Sequence, residues 1–208
     1  LAPLAIATDR VYTQLRSDIL RGLYRPGSEI VITRIARDFD VSIAPVRDSV
    51  NRLVGERLLL TGAQIGYMLP DITPASLRDI YLWHEHLMKL ALARRPRTMR
   101  SIALDSESVI ESPESYAATA EMFFSGLCFP APNRNLEHAI ATAGESLRRV
   151  RLKEIDHLPR AAEELAVLLD LATGEDHRRL SAAISSYHRR RLQQVRLLTL
   201  AVGGTLDV

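Results

Sequence analysis

Apolar residues recur every fourth position at Val11, Leu15 and Ile19, with Tyr12 beside them, and predict an amphipathic helix over Asp9–Leu20. Gly22 offers that helix a stop and Pro26-Gly27 a turn. A short second helix is predicted from Thr33 to Phe39, with Ile32, Ile35, Ala36 and Phe39 on one face. Asp40 follows where the chain must turn sharply, and Asp tolerates left-handed backbone better than most residues. Ser42 is placed as the N-cap of a third helix, with Pro45 in its first turn, where a missing N–H costs nothing. Val46, Val50 and Leu53 share one side of it, so Arg47, Asp48, Asn51 and Arg52 point elsewhere. Leu58–Thr61 and Tyr67–Leu69 are strand-like runs about a glycine-flanked tip, Gly62 to Gly66, and predict a hairpin. Three helices followed by a two-stranded wing is the winged helix-turn-helix pattern.

After Pro70 strand signals stop and long helical periodicities take over, which places a domain boundary at Pro70 to Pro74. A helix is predicted through Leu77, Ile80, Tyr81, His84, Leu87, Met88 and Ala91 to about Arg94. Others are predicted near Arg97–Ile110, Pro113–Cys128, Asn133–Leu152, Leu158–Thr173 and Glu175–Ala201. The fold class is therefore mainly α: a winged helix-turn-helix over residues 1–70 and an all-α antiparallel bundle over residues 71–208.

Composition narrows the functional classes. The chain has 208 residues and 47% hydrophobic content, enough for packed cores and against disorder. No apolar run approaches the roughly 20 residues of a membrane span, and Leu1 to Asp9 lacks the layout of a secretory signal, so a soluble, cytoplasmic protein is expected. Cys128, the one cysteine, reads as a buried small hydrophobe. Net charge is only +2, but residues 1–70 carry nine Arg and no Lys against seven Asp or Glu, while the remainder is balanced. Arg suits bidentate contact with phosphate or guanine. No glycine-rich phosphate loop, nucleophile elbow or clustered metal-ligand spacing is present, so no catalytic residue is assigned and no enzyme is expected.

Val11-Tyr12, Leu15-Arg16, Ile19-Leu20, Gly22, Pro26-Gly27, Ile35-Ala36, Val41-Ser42, Pro45-Val46-Arg47, Leu53 and Gly66-Tyr67, in this order and spacing, resemble the GntR family of bacterial regulators. The helical remainder resembles the FadR-like branch, whose C-terminal domain, of the FCD type, binds a small acid and in many members a divalent metal. The resemblance implies a transcriptional regulator, a homodimer on palindromic double-stranded operator DNA, with an organic-acid effector in the helical domain. Its DNA-binding candidates here are Arg34, Ser42, Ala44, Arg47, Asn51, Arg52, Gln64 and Gly66. Asn51 is read as facing adenine edges or water. Where most members carry Arg and Thr after the Val-Ser pair this chain has Ile43 and Ala44, and Ile65 replaces the frequent basic residue of the wing.

The family's metal ligands fall at Ala120, Phe124, near Glu164 and at His188, so no metal and no other cofactor is expected. His84, Phe124, Glu164 and His188 are the candidate effector-binding residues, with the two histidines as donors and Phe124 as an apolar wall. The run His188-Arg-Arg-Arg191 reads as a solvated helix face. Two other readings stay open: a winged-helix protein whose DNA-reading face has decayed into an interaction module, and a helical-bundle enzyme.

Overall fold

The computed structural model describes residues 3–62, 66–94, 110–127, 133–174 and 176–206. The chain forms two compact units, one of residues 1–72 with 202–205, the other of residues 73–201 with 206–208. The wing residue Gln64, the helix expected over Arg97–Ile110 and Cys128 lie outside the described residues.

In the first unit, α1 (Pro3–Leu20) and α2 (Ile32–Asp38) both pack on α3 (Ile43–Gly55). Val11, Leu15 and Ile19 of α1 meet Val46, Val50 and Leu53 of α3 in one buried cluster, closed by Ile35, Ala36, Leu59 and Leu69. The fourfold spacing in the sequence is therefore the core-facing row of each helix. Asp40 turns between α2 and α3 at φ 51, in the left-handed region the sharp turn requires. Ser42 stands at the N-cap of α3 with extended backbone, but its side chain makes no capping hydrogen bond, contrary to expectation.

The wing is a three-stranded antiparallel sheet rather than a hairpin alone. β1 (Glu29–Ile30), β2 (Leu60–Gly62) and β3 (Gly66–Met68) lie in the order β1-β3-β2. Tyr67 pairs with Ile30 on one side and Thr61 on the other. β1 has two residues, too few to show a strand period, which is why the pattern missed it. Residues 202–205 join this unit: the Thr205 N–H donates to the Ile72 carbonyl at 3.1 Å, and Arg25 Nε donates to the Gly203 carbonyl at 3.2 Å.

The second unit is helical among its described residues: α4 (Pro74–Arg94), α5 (Pro113–Gly126), α6 (Arg134–His157), α7 (Ala161–Thr173), α8 (His177–Gln193) and α9 (Val195–Ala201). α4 packs on α6, α8 and α9, α5 packs on α6, and α7 on α8. Ser112 and Ser115 cap α5 reciprocally, each hydroxyl accepting the other's backbone N–H at 3.1 and 3.0 Å. The Asn133 side chain accepts the Leu136 N–H at 3.1 Å and starts α6.

Two boundaries of the helical unit differ most from expectation. α6 continues past Leu152 to His157, because Arg151 and Glu154 belong to its buried row. The helix expected over Glu175–Ala201 divides at Gln194, whose N–H bonds the Arg191 carbonyl in a tighter, three-residue turn. No Gly or Pro marks that break in the sequence.

Candidate functional site

The polar side of α3 faces solvent. Ala44, Arg47, Asp48 and Asn51 are exposed, as are Ser42 before them and Arg34 on α2. Ile43 is 43% exposed at the start of the helix, an apolar side chain where a helix N-terminus faces water. Gly66 opens β3 at φ 74, a backbone conformation that a side chain would strain. Arg52 is placed differently from the rest. Its guanidinium stacks on the Tyr12 ring at 3.6 Å from the centroid and pairs with Glu56 and Asp9 at 3.6 and 3.7 Å. Glu56 in turn accepts from Tyr12 and Arg16 at 2.5 and 3.0 Å. Arg52 thus ties α3 to α1 while its side chain stays 54% exposed. Asn51 also has a partner, the Tyr67 hydroxyl, which donates to its Oδ1 at 2.7 Å.

Polar side chains converge at the centre of the helical unit. His84 from α4, Phe124 from α5, Arg151 and Glu154 from α6, and Tyr187, His188 and Arg191 from α8 are all buried. Glu154 accepts from Tyr81 at 2.5 Å, Tyr116 at 2.6 Å and Arg191 Nε at 2.9 Å. Burial works against its charge, but Arg191 and the two hydroxyls outweigh it and hold the carboxyl below its ordinary range. Arg191 further donates to Tyr116 and Glu164 and stacks on Tyr187 at 3.3 Å from the centroid. Arg191 is therefore an interior cation, not part of a solvated face. Its location has a sequence signal: it continues the buried row Leu180, Ile184, Tyr187, as Arg151 and Glu154 continue Ile140, Ala143, Leu147.

The histidines sit beside this network, and their protons can be placed by elimination. His188 Nδ1 lies 2.7 Å from the Ile184 carbonyl, so this nitrogen carries the hydrogen and Nε2 accepts. Nε2 lies 2.8 Å from His84 Nδ1, which must then donate. His84 Nε2 is left as an acceptor, and Arg151 Nη2 faces it at 3.3 Å. The donors run in one direction, Arg151 to His84 to His188 to Ile184, with both rings neutral. Burial pushes His188 down to about 4. His84 is depressed well below its usual value, by burial first and then by Arg151 and His188.

This arrangement limits what the expected effector residues can offer a ligand. Neither histidine has a donor to spare, and Glu164 pairs with Arg191 at 2.6 Å rather than with His188. Glu164 borders a surface cleft with Pro159, Arg160, Val167 and Arg190. Phe124 is a ring wall, edge-on to His84 with centroids 4.7 Å apart. The free donors belong to Arg151, which sequence reasoning missed: its Nε and Nη1 are buried without a hydrogen-bond partner. Gly144 borders this head, and a Cβ there would stand 3.8 Å from Nη1, an ordinary contact.

The donor set does not fit a divalent ion. His188 Nε2 is engaged by His84, the Phe124 ring lies 5.8 Å from the His188 ring, and the Arg151 guanidinium would repel a cation. No group of three metal-binding side chains occurs among the described residues. No described helix is long and apolar enough to cross a membrane.

Comparison with known proteins matches residues 7–68 to the family described as bacterial regulatory proteins, gntR family. The HTH-type transcriptional repressor GlaR of Escherichia coli (strain K12) is 25% identical over 115 residues, 53% of this chain and 52% of that protein. The Nta operon transcriptional regulator of Aminobacter aminovorans is 28% identical over 137 residues, 62% of this chain and 65% of that protein. The chain thus spans about half the length of the first of these relatives. Among solved structures, a GntR protein from Rhodococcus sp. RHA1 superposes with a TM-score of 0.73 at 18% identity, covering 91% of this chain and 97% of the other. E. coli McbR/YncC superposes with a TM-score of 0.62 at 15% identity, covering 92% and 97%. These likenesses establish the mainly α fold with an N-terminal winged unit. Over residues 7–68 the chain is thus similar to the bacterial regulatory proteins of the gntR family, and that segment is its winged helix-turn-helix.

Proposed function

We propose that this chain is a DNA-binding transcriptional regulator, not an enzyme, that acts as a homodimer in the cytoplasm and responds to a small organic anion. DNA reading is assigned to residues 1–70, and effector binding and dimerisation to residues 71–208. The observation that carries this reading is the division of α3 into a core row, Val46, Val50 and Leu53, and an exposed row, Ala44, Arg47 and Asn51. A helix held by its apolar side beside a wing can lie in a major groove with the exposed row on base edges. Arg47 is the principal reader, Arg34 and the backbone N–H groups at the start of α3 take phosphates, and Gly66 lets the wing approach the duplex. The relatives are named as transcriptional regulators, which supports the same reading.

The effector half rests on Arg151. A buried guanidinium with two orphan donors is unfavourable unless acceptors satisfy them, and a small anion with several oxygens is the ligand class that can. Phe124 and the neutral histidines would wall that anion. Dimerisation is assigned to the outward row of α4, where Leu82, Trp83 and Leu90 stand exposed opposite the buried Tyr81, His84 and Met88. The direct test is a gel shift of the full chain on the DNA upstream of its own gene. A sequence-specific complex is expected, and its absence at low salt would refute the reading.

A further inference from the structure

Tyr67 and Asn51 join the wing to the reading helix. Tyr67 is half-buried on β3, paired with Thr61 and Ile30 and packed on the hydrophobic core, so its ring is fixed by the sheet. Asn51 is exposed one helical turn beyond Arg47. A side-chain amide offers an acceptor on one side and a donor with two hydrogens on the other, and a phenol, which donates better than it accepts, favours the oxygen facing it. Here the phenol donates to Oδ1 at 2.7 Å. Among the described residues nothing takes Nδ2.

We propose that Tyr67 is a positioning residue that makes Asn51 read with its Nδ2 donors, so that the base it meets is guanine and not adenine. The inference rests on the DNA-binding reading above. Asn recognises adenine through both amide atoms, accepting from N6 and donating to N7. An Oδ1 that already accepts the phenol hydrogen has one lone pair left and less room around it, and is the poorer partner for that amino group. Guanine presents N7 and O6, both acceptors, and the two Nδ2 hydrogens match them. The clasp therefore reverses the preference that an unrestrained Asn would show.

The test is selection of duplexes from a random library by the full-length parent, Asn51→Ala and Tyr67→Phe at matched salt. Melting curves report whether each variant is folded. One position per half-site is expected at which the parent favours guanine over adenine on the order of tenfold. Asn51→Ala should flatten that position alone, and Tyr67→Phe should move it toward adenine. Placing 7-deazaguanine there should weaken the parent and leave Asn51→Ala unchanged. This arm needs no Tyr67 variant, so it decides the guanine contact even if Tyr67→Phe fails to fold.

Adenine at the Asn51-dependent position would overturn the proposal, as would an unchanged pattern in either folded variant. Uniform weakening on every sequence would do the same, because it is the signature of a phosphate contact. A parent chain that enriches no sequence would instead remove the DNA-binding reading itself.

Discussion

Arg151 Nη2 lies 3.3 Å from His84 Nε2, while Nε and Nη1 of the same guanidinium are buried with no hydrogen-bond partner. An anion that accepts from them should stabilise the folded chain. Titration with small carboxylates, acetate through malate, is expected to raise the melting temperature, with a gain of about 2.7 kcal/mol at a concentration one hundred times Kd. Arg151→Met removes the donor that faces the buried His84 Nε2 and should cost about 1 to 3 kcal/mol of stability. The carboxylate effect should vanish in it. An equal rise in parent and variant would show that the anion binds elsewhere.

The neutral histidine pair sets an acid limit. His188 has a folded pKa of about 4 and His84 one well below the usual value, so on acidification the unfolded chain takes up protons that the folded chain refuses. Stability should therefore be level above the unfolded histidine value near 6.5 and fall as pH drops below it. Between pH 7.5 and 5.5 the loss should be about 1 to 3 kcal/mol by urea unfolding. Glu154, held below its ordinary range, adds a further loss only at lower pH. A His188→Gln variant should roughly halve the slope between pH 7.5 and 5.5, since His84 still contributes. The same slope in parent and variant would mean that His188 does not cause it.

Arg47 stands exposed on α3 and makes no core contact, so Arg47→Ala should fold normally. It should lose about 1 to 3 kcal/mol of affinity for the selected operator. With Ile43 and Ala44 at the helix start, few cations meet phosphate, and the slope of log affinity against log salt should be shallow. Anisotropy titrations across a salt series measure both. Full affinity in the variant would place the reading face elsewhere.

The single tryptophan, Trp83, is 52% exposed on the outward row of α4 with Leu82 and Leu90. If a second copy covers this row, sedimentation of the full chain at micromolar concentration should give a dimer. Trp83→Glu with Leu90→Glu should then be monomeric with unchanged helical circular dichroism, and dilution of the parent should red-shift the tryptophan emission. A parent monomer, or a double variant that stays dimeric, would remove α4 as the interface.

The amphipathic rows and the turn residues were legible from the chain alone, because both are local. Val11, Leu15 and Ile19 declare a buried helix face by spacing, and Asp40 and Gly66 declare positive-φ turns by side-chain sterics. The family resemblance is written in the same local signals, in order. That is why the winged unit and the helical character of the remainder were visible before any coordinates.

Only the tertiary structure decided which polar residues went inside and which partner each one met. Arg191 looks like surface in an Arg-rich run, and Arg151 and Glu154 lie among charges, yet all three are buried. Their charge favours water, and only partners brought from other helices offset that cost. Those partners are remote in the chain: His84 is 67 residues from Arg151 and 104 from His188. Glu164 lies against Arg191, and Arg52 stacks on Tyr12. Periodicity reports which face of a helix is inside, whereas the pairing of buried charges depends on how the helices pack against one another, which no local pattern encodes.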